Sequence, residues 1–113
     1  MVEVIILENL KSEILKKFGR EAGKIFRFIK SLEENPRKGK LLGNVGGIVI
    51  KELRYKSFRF YFITNGFKLK VLNGREVVDI LMRFVRMSDK KSQQKVINEI
   101  REILQKVGVS GFD

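Results

Sequence analysis

The chain of 113 residues contains no cysteine and no histidine. Their absence excludes thiol nucleophiles, zinc ribbons and imidazole catalysis, and the lack of thiols fits a reducing compartment. Long apolar runs are missing too. No segment approaches the roughly 18 apolar residues of a membrane span. The opening stretch Met1–Leu7 carries Glu3 and is followed by Glu8, so it lacks the basic start of a secretory signal. It reads as the first strand of a cytoplasmic protein with no membrane partner. Acids are scarce: 13 Asp and Glu stand against 24 Lys and Arg, giving +11 and a pI near 10.1. Such a field attracts polyanions, nucleic acid before an anionic surface or an acidic protein. Thermophile-like charge enrichment would raise both signs together; here they differ by eleven.

What is present suits one domain spanning residues 1–113. Hydrophobic residues make up 43% of the chain, too many for a disordered tail, and a chain this long buries roughly two-thirds of its unfolded surface without a metal or disulfide. No cofactor or metal site is expected. Val2–Leu7 is short and β-branched, as a strand should be. From Leu10 the period changes: Leu10, Ile14 and Phe18 form one helical face, and Ala22, Ile25, Phe26, Ile29 and Leu32 resume it after Gly19. A glycine inside a helix costs about 1 kcal/mol, which favours two helices in a hairpin over one rod. Asn35-Pro36 ends the second helix. Residues 35–47, with four glycines and three cations, read as the long loop.

Beyond the loop the pattern turns β. Gly47–Tyr55, Phe58–Thr64, Phe67–Leu72 and Glu76–Phe84 are rich in Ile, Val, Phe and Tyr. Asn65-Gly66 and Asn73-Gly74 read as type I′ hairpin turns, which predicts an antiparallel meander. A last helix follows from Asp89 to Val107, capped by Ser88 and ended by Gly108. Its stripe is Val96, Ile100, Ile103 and Val107, widened by Ile97 and Leu104. The expected fold is α+β, in the order β-α-α-β-β-β-β-α: an antiparallel sheet with an N-terminal helical hairpin and a C-terminal helix.

Strand alternation puts Phe58, Phe60 and Phe62 on one side and Arg59 and Tyr61 on the other. The phenylalanines are expected to meet the helices, leaving Arg59 and Tyr61 on an uncovered face. Glu52 and Arg54 share one side of the neighbouring strand, with Lys51 on the other. A polar groove results if Glu52 and Arg54 line the same side as Arg59. Lys38 and Lys40 in the loop, Lys56, Arg83, and Lys90 and Lys91 at the start of the last helix complete a set of candidate RNA contacts. Lys90, Lys91 and Lys95 crowd a helix start, where cations oppose the helix dipole.

Leu32-x-x-Asn35-Pro36-x-x-Gly39-x-Leu41, then Glu52-Leu53-Arg54, then Phe58-Arg59-Phe60-Tyr61 resemble the RelE/ParE toxin superfamily. The Glu-Leu-Arg step and Phe84-Val85-Arg86-x-Ser88-x-Lys90 are most similar to its HigB branch. The resemblance covers roughly residues 10–105. It implies the toxin of a toxin–antitoxin pair, which cuts messenger RNA in the ribosomal A site beside ribosomal RNA and is held by an acidic antitoxin. It also implies a metal-free reaction in which an RNA 2′-hydroxyl attacks its own phosphate. Arg59 then falls on the arginine of the scissile phosphate and Arg86 on a second, late cation, residue types whose paired donors fit phosphate oxygens. The proton carrier is Glu52, a tyrosine or a lysine, and Tyr61 and Arg54 position the RNA. The chain departs from the pattern at Ile50 and Glu52, where RelE-type members carry lysines, and at Met82, where HigB-like members carry histidine. These departures keep a non-catalytic RNA- or protein-binding module open as an alternative, and the shared scaffold leaves room for a ParE-type toxin directed at gyrase.

Overall fold

The computed structural model describes residues 2–65, 68–72 and 75–112. Strand β1 (Val2–Ile6) leads into α1 (Glu8–Phe18). Gly19, at φ 53°, breaks the helix into a 3-10 turn (Gly19–Glu21) before α2 (Ala22–Lys30). Then come β2 (Lys40–Val45), β3 (Ile48–Tyr55), β4 (Phe58–Thr64), β5 (Lys68–Leu72), β6 (Arg75–Ser88) and α3 (Gln93–Lys106). Five strands lie in the order β1-β6-β4-β3-β2, and β5 pairs with the first part of β6. The result is one α+β domain.

Four features of the sheet differ from expectation. The glycine-rich segment is not all loop. Leu41, Leu42 and Val45 belong to an edge strand, and Gly46 and Gly47, at φ 56° and 85°, make the tight turn into β3. Two successive positive φ angles are what a type I′ hairpin needs, so Gly46-Gly47 is a turn signal of the same kind as Asn-Gly. The sheet is mixed, because β1 runs parallel to β6, with Val4 opposite Met82. No hairpin ties β1 to a neighbour, so turn chemistry carries no information about its direction. Third, β4 and β5 both run antiparallel to β6, with Thr64 opposite Met82 and Lys68 opposite Asp79. They follow one another along a single partner and do not fold back on each other, which removes the predicted Asn65-Gly66 hairpin. Gly66 itself, and the Asn73-Gly74 turn between the paired Leu72 and Arg75, lie outside the described residues. Finally, β6 continues to Ser88 and α3 starts at Gln93 instead of Asp89. Ser88 is therefore a strand residue and not a cap; Asp89 Oδ1 accepts hydrogen bonds from the Ser92 backbone N–H (2.8 Å) and hydroxyl (2.9 Å).

The main correction concerns the second face of the sheet. Leu10, Ile14, Ile25, Ile29 and Leu32 of the N-terminal helical segment pack on Phe60, Phe62, Phe84 and Met82, with Phe62 and Phe84 stacked 4.7 Å apart. That half matches the alternation argument. The opposite face is covered as well: Ile97, Ile100 and Leu104 of α3 pack on Ile50, Tyr61, Ile63 and Val85. The strands are therefore two-sided, which explains why β4 reads as a nearly continuous apolar run. Arg101 Nη2 fastens α3 to the sheet edge by donating to the Leu42 carbonyl (3.0 Å).

Candidate functional site

Where α3 begins, it leaves the end of β3 and β4 open. Glu52 lies opposite Tyr61 and beside Lys40, and Arg54 lies opposite Arg59. Strand alternation sends Glu52, Arg54, Arg59 and Lys40 to the α3 face. With Lys38, Gly39 and Gln93 they line a cavity of about 470 Å³. The floor is an ion pair, Arg59 Nε to Glu52 Oε1 at 3.5 Å, with each side chain 8% exposed. Gln93 Nε2 donates to the same carboxylate oxygen at 3.3 Å, and Arg59 Nη1 donates to the Ser57 carbonyl at 2.9 Å.

Among the described residues Glu52 is the one acid lining this cleft, against Lys38, Lys40, Arg54 and Arg59. Like charges directly opposite on neighbouring strands, as at Arg54 and Arg59, disfavour the sheet. One carboxylate offsets part of that repulsion and leaves a surplus of positive charge. The lining of the cleft is thus net positive, and arginine is a residue type whose paired donors fit phosphate oxygens. It also sets a carboxylate, Glu52, among those cations.

Other predicted residues lie elsewhere. Tyr61 is fully buried beneath α3 and its hydroxyl meets Ser88 Oγ at 2.7 Å, so it cannot stack on a base. Burial raises the phenol above its ordinary value, against the opposing pull of the Ser88 hydrogen bond. Arg86 shares the α3 face only because a bulge at Val85 shifts the register between the Tyr61–Arg86 and Phe62–Phe84 pairs. Its guanidinium then goes to the far flank of α3. Nε donates to Glu99 Oε1 (2.9 Å), Nη1 to the Val85 carbonyl (2.8 Å), and the group sits 5.3 Å from the Phe112 ring centre. Arg59 and Arg86 therefore do not share the cleft. Arg83 lines a smaller recess with Ile48 and Ile63. Lys90 and Lys91 are exposed ahead of α3, and Lys56 occupies the β3–β4 turn, 3.0 Å from Glu21.

Two contributors were not legible in sequence. Gln93 was hidden by the expected helix start at Asp89. Gly39, at φ 109°, brings the loop backbone against Phe62 and the Glu52 carbonyl, where an added Cβ would meet both at 3.2 Å.

Among the described residues no cluster of acids is placed to hold a metal ion, and no helix is long and apolar enough to cross a membrane. No family model, curated protein or solved structure matches this chain. Function therefore has to be argued from the cleft.

Proposed function

We propose that this protein is an RNA-directed toxin of the RelE/HigB kind, a metal-independent endoribonuclease that acts on messenger RNA presented by the ribosome and is held in check by an acidic partner protein. The observation that carries the reading is the buried Glu52–Arg59 pair on the floor of a cleft otherwise rimmed by cations. Arg59 and Arg54 hold the scissile phosphate. As the 2′-oxygen attacks phosphorus, its proton passes to a carboxylate oxygen of Glu52 and the P–O5′ bond breaks. The departing 5′-oxygen takes a proton from solvent water in the open cleft, so that the products are a cyclic phosphate and a 5′-hydroxyl. Arginine donors stabilise the charge that builds on the phosphorus oxygens. Lys38 and Lys40 guide the strand into the cleft. In this reading Tyr61 belongs to the core beneath α3, Arg86 pairs with Glu99 on α3, and neither takes part in the reaction.

A second reading, a non-catalytic RNA-binding module, draws support from the separation of Arg59 and Arg86, since only one of the two expected cations faces the cleft. Primer extension on translated messages after induced expression separates the two. The enzyme reading expects new 5′ ends that vanish with Arg59→Ala, and Glu52→Gln to slow cleavage by about 10²- to 10⁴-fold. Growth arrest without new ends, with replication stopping before translation, would instead favour a gyrase-directed toxin.

A further inference from the structure

The cleft lies at the end of the sheet closed by the β3–β4 turn, and the cationic surface does not stop there. Between residues 16 and 30 the chain carries six cations and one acid, Glu21. That acid is engaged by Lys56 of the turn at 3.0 Å. Lys16, Arg20, Lys24 and Arg27 are exposed, and none has an acidic partner among the described residues. Repeated like charge at three- and four-residue spacing disfavours a helix, and nothing in α2 offsets it, since α2 contains no acid.

Two contacts tie this corner to the cleft. Lys38, which lines the cleft, places its ammonium 4.5 Å from the ring centre of Phe28 on α2. Arg54, on the cleft wall, donates to the Lys56 carbonyl at 3.3 Å. Lys24 lies one helical turn from both Glu21 and Phe28, the two α2-side residues that meet the turn and the loop, so it shares their side.

The turn itself carries an independent mark. Lys56 sits at φ 53°, the only non-glycine residue at positive φ among the described residues. A glycine would hold that conformation freely, whereas a side chain there costs energy. The fold tolerates the strain and places a cation midway between cleft and helix corner.

We infer that RNA entering the cleft continues over the β3–β4 turn onto the α1–α2 corner, so that Lys56, Lys24, Arg20 and Arg27 form the outer half of one phosphate track. This rests on the RNA-binding reading of the cleft. The occupant is the backbone of a single strand, because the track bends around the end of a sheet where a stiff duplex cannot follow.

The test uses the full chain and two RNAs, about 4 and about 16 nucleotides long, the span of sites seen in single-strand binding folds. The longer strand should bind at least about tenfold more tightly and with a steeper salt dependence. Replacing Arg20, Lys24 and Arg27 together by Gln should remove that gain, lower the salt slope by about 2, and leave the short strand unaffected. Lys56→Gly should weaken only the longer RNA while the melting temperature holds or rises; a merely structural lysine would lower it. Equal affinity for both lengths, or a triple variant that keeps the gain, overturns the inference. So does a triple variant that loses binding to anionic lipid vesicles while its RNA binding stands. Short-strand binding indifferent to Arg59→Gln would instead sink the cleft reading.

Discussion

Arg59 holds Glu52 across adjacent strands at 3.5 Å, and neither side chain is more than 8% exposed. The relationship is costly to break from one side. Burial charges a desolvation penalty on both groups, and their attraction repays it only while both are present. Arg59→Ala or Glu52→Gln alone should each destabilise the fold by about 3–5 kcal/mol, because a charge is left buried without its partner. The double variant Glu52→Gln/Arg59→Met should recover most of that loss. Urea unfolding of the four proteins reads the coupling directly, and additive losses would mean that solvent already screens the pair.

Alkaline pH separates the two faces of the sheet. Tyr61 keeps its proton in the folded state beyond the ordinary 10.0, first because it is buried. Its contribution is therefore complete below pH 10.0 and is lost as pH climbs through that value and the higher folded one. Lys51 behaves oppositely. Burial lowers its value from 10.5, so its cost is present at neutral pH and is relieved as pH rises from the folded value toward 10.5. Tyr61→Phe should cost about 1 kcal/mol at neutral pH for the lost hydrogen bond and flatten the alkaline fall. Lys51→Met should gain stability at neutral pH, with the gain shrinking as pH approaches 10.5. Thermal melts across a pH series check both signs.

How much of this was legible in sequence depends on which contacts are local. The break at Gly19 and the Phe60–Phe62 face follow from periodicity, and both are present. Periodicity also showed that α3 has an apolar stripe. It could not say which surface that stripe would choose, so Tyr61 was left uncovered when it is in fact buried. The β2 edge was masked because glycines lower strand propensity while supplying the turn that makes the strand possible. The cleft half formed by Glu52, Arg54 and Arg59 came from simple alternation. The Arg86 half, implied by the resemblance, failed for a different reason: the bulge at Val85 does bring Arg86 to the α3 face, but its guanidinium turns to Glu99 and Phe112 and away from the cleft.

Gly39 offers a test of how tightly the cleft is built. It combines φ 109° with a backbone so close to its neighbours that an added Cβ would meet the Glu52 carbonyl and the Phe62 ring at 3.2 Å. Gly39→Ala should cost about 1–3 kcal/mol from backbone strain, with more added if the stacked Phe62–Phe84 pair has to shift. The displaced loop carries Lys38 and Lys40, so RNA affinity should fall along with stability. An alanine variant with unchanged melting temperature would show that the loop can move aside freely.

Arg86 decides between the geometry found here and the arrangement its sequence position implied. Its partner Glu99 is half exposed, and such pairs contribute at most about 1 kcal/mol. Arg86→Gln should therefore fold nearly as well as the parent. If Arg86 stays away from the scissile phosphate, Arg86→Gln should keep RNA cleavage within a few-fold, whereas Arg59→Gln should lose two or more orders of magnitude. Glu99→Gln, which frees the Arg86 guanidinium without removing it, sharpens the comparison. Should Glu99→Gln raise cleavage and Arg86→Gln abolish it, then Arg86 reaches the substrate after leaving Glu99, and the site would need both arginines after all.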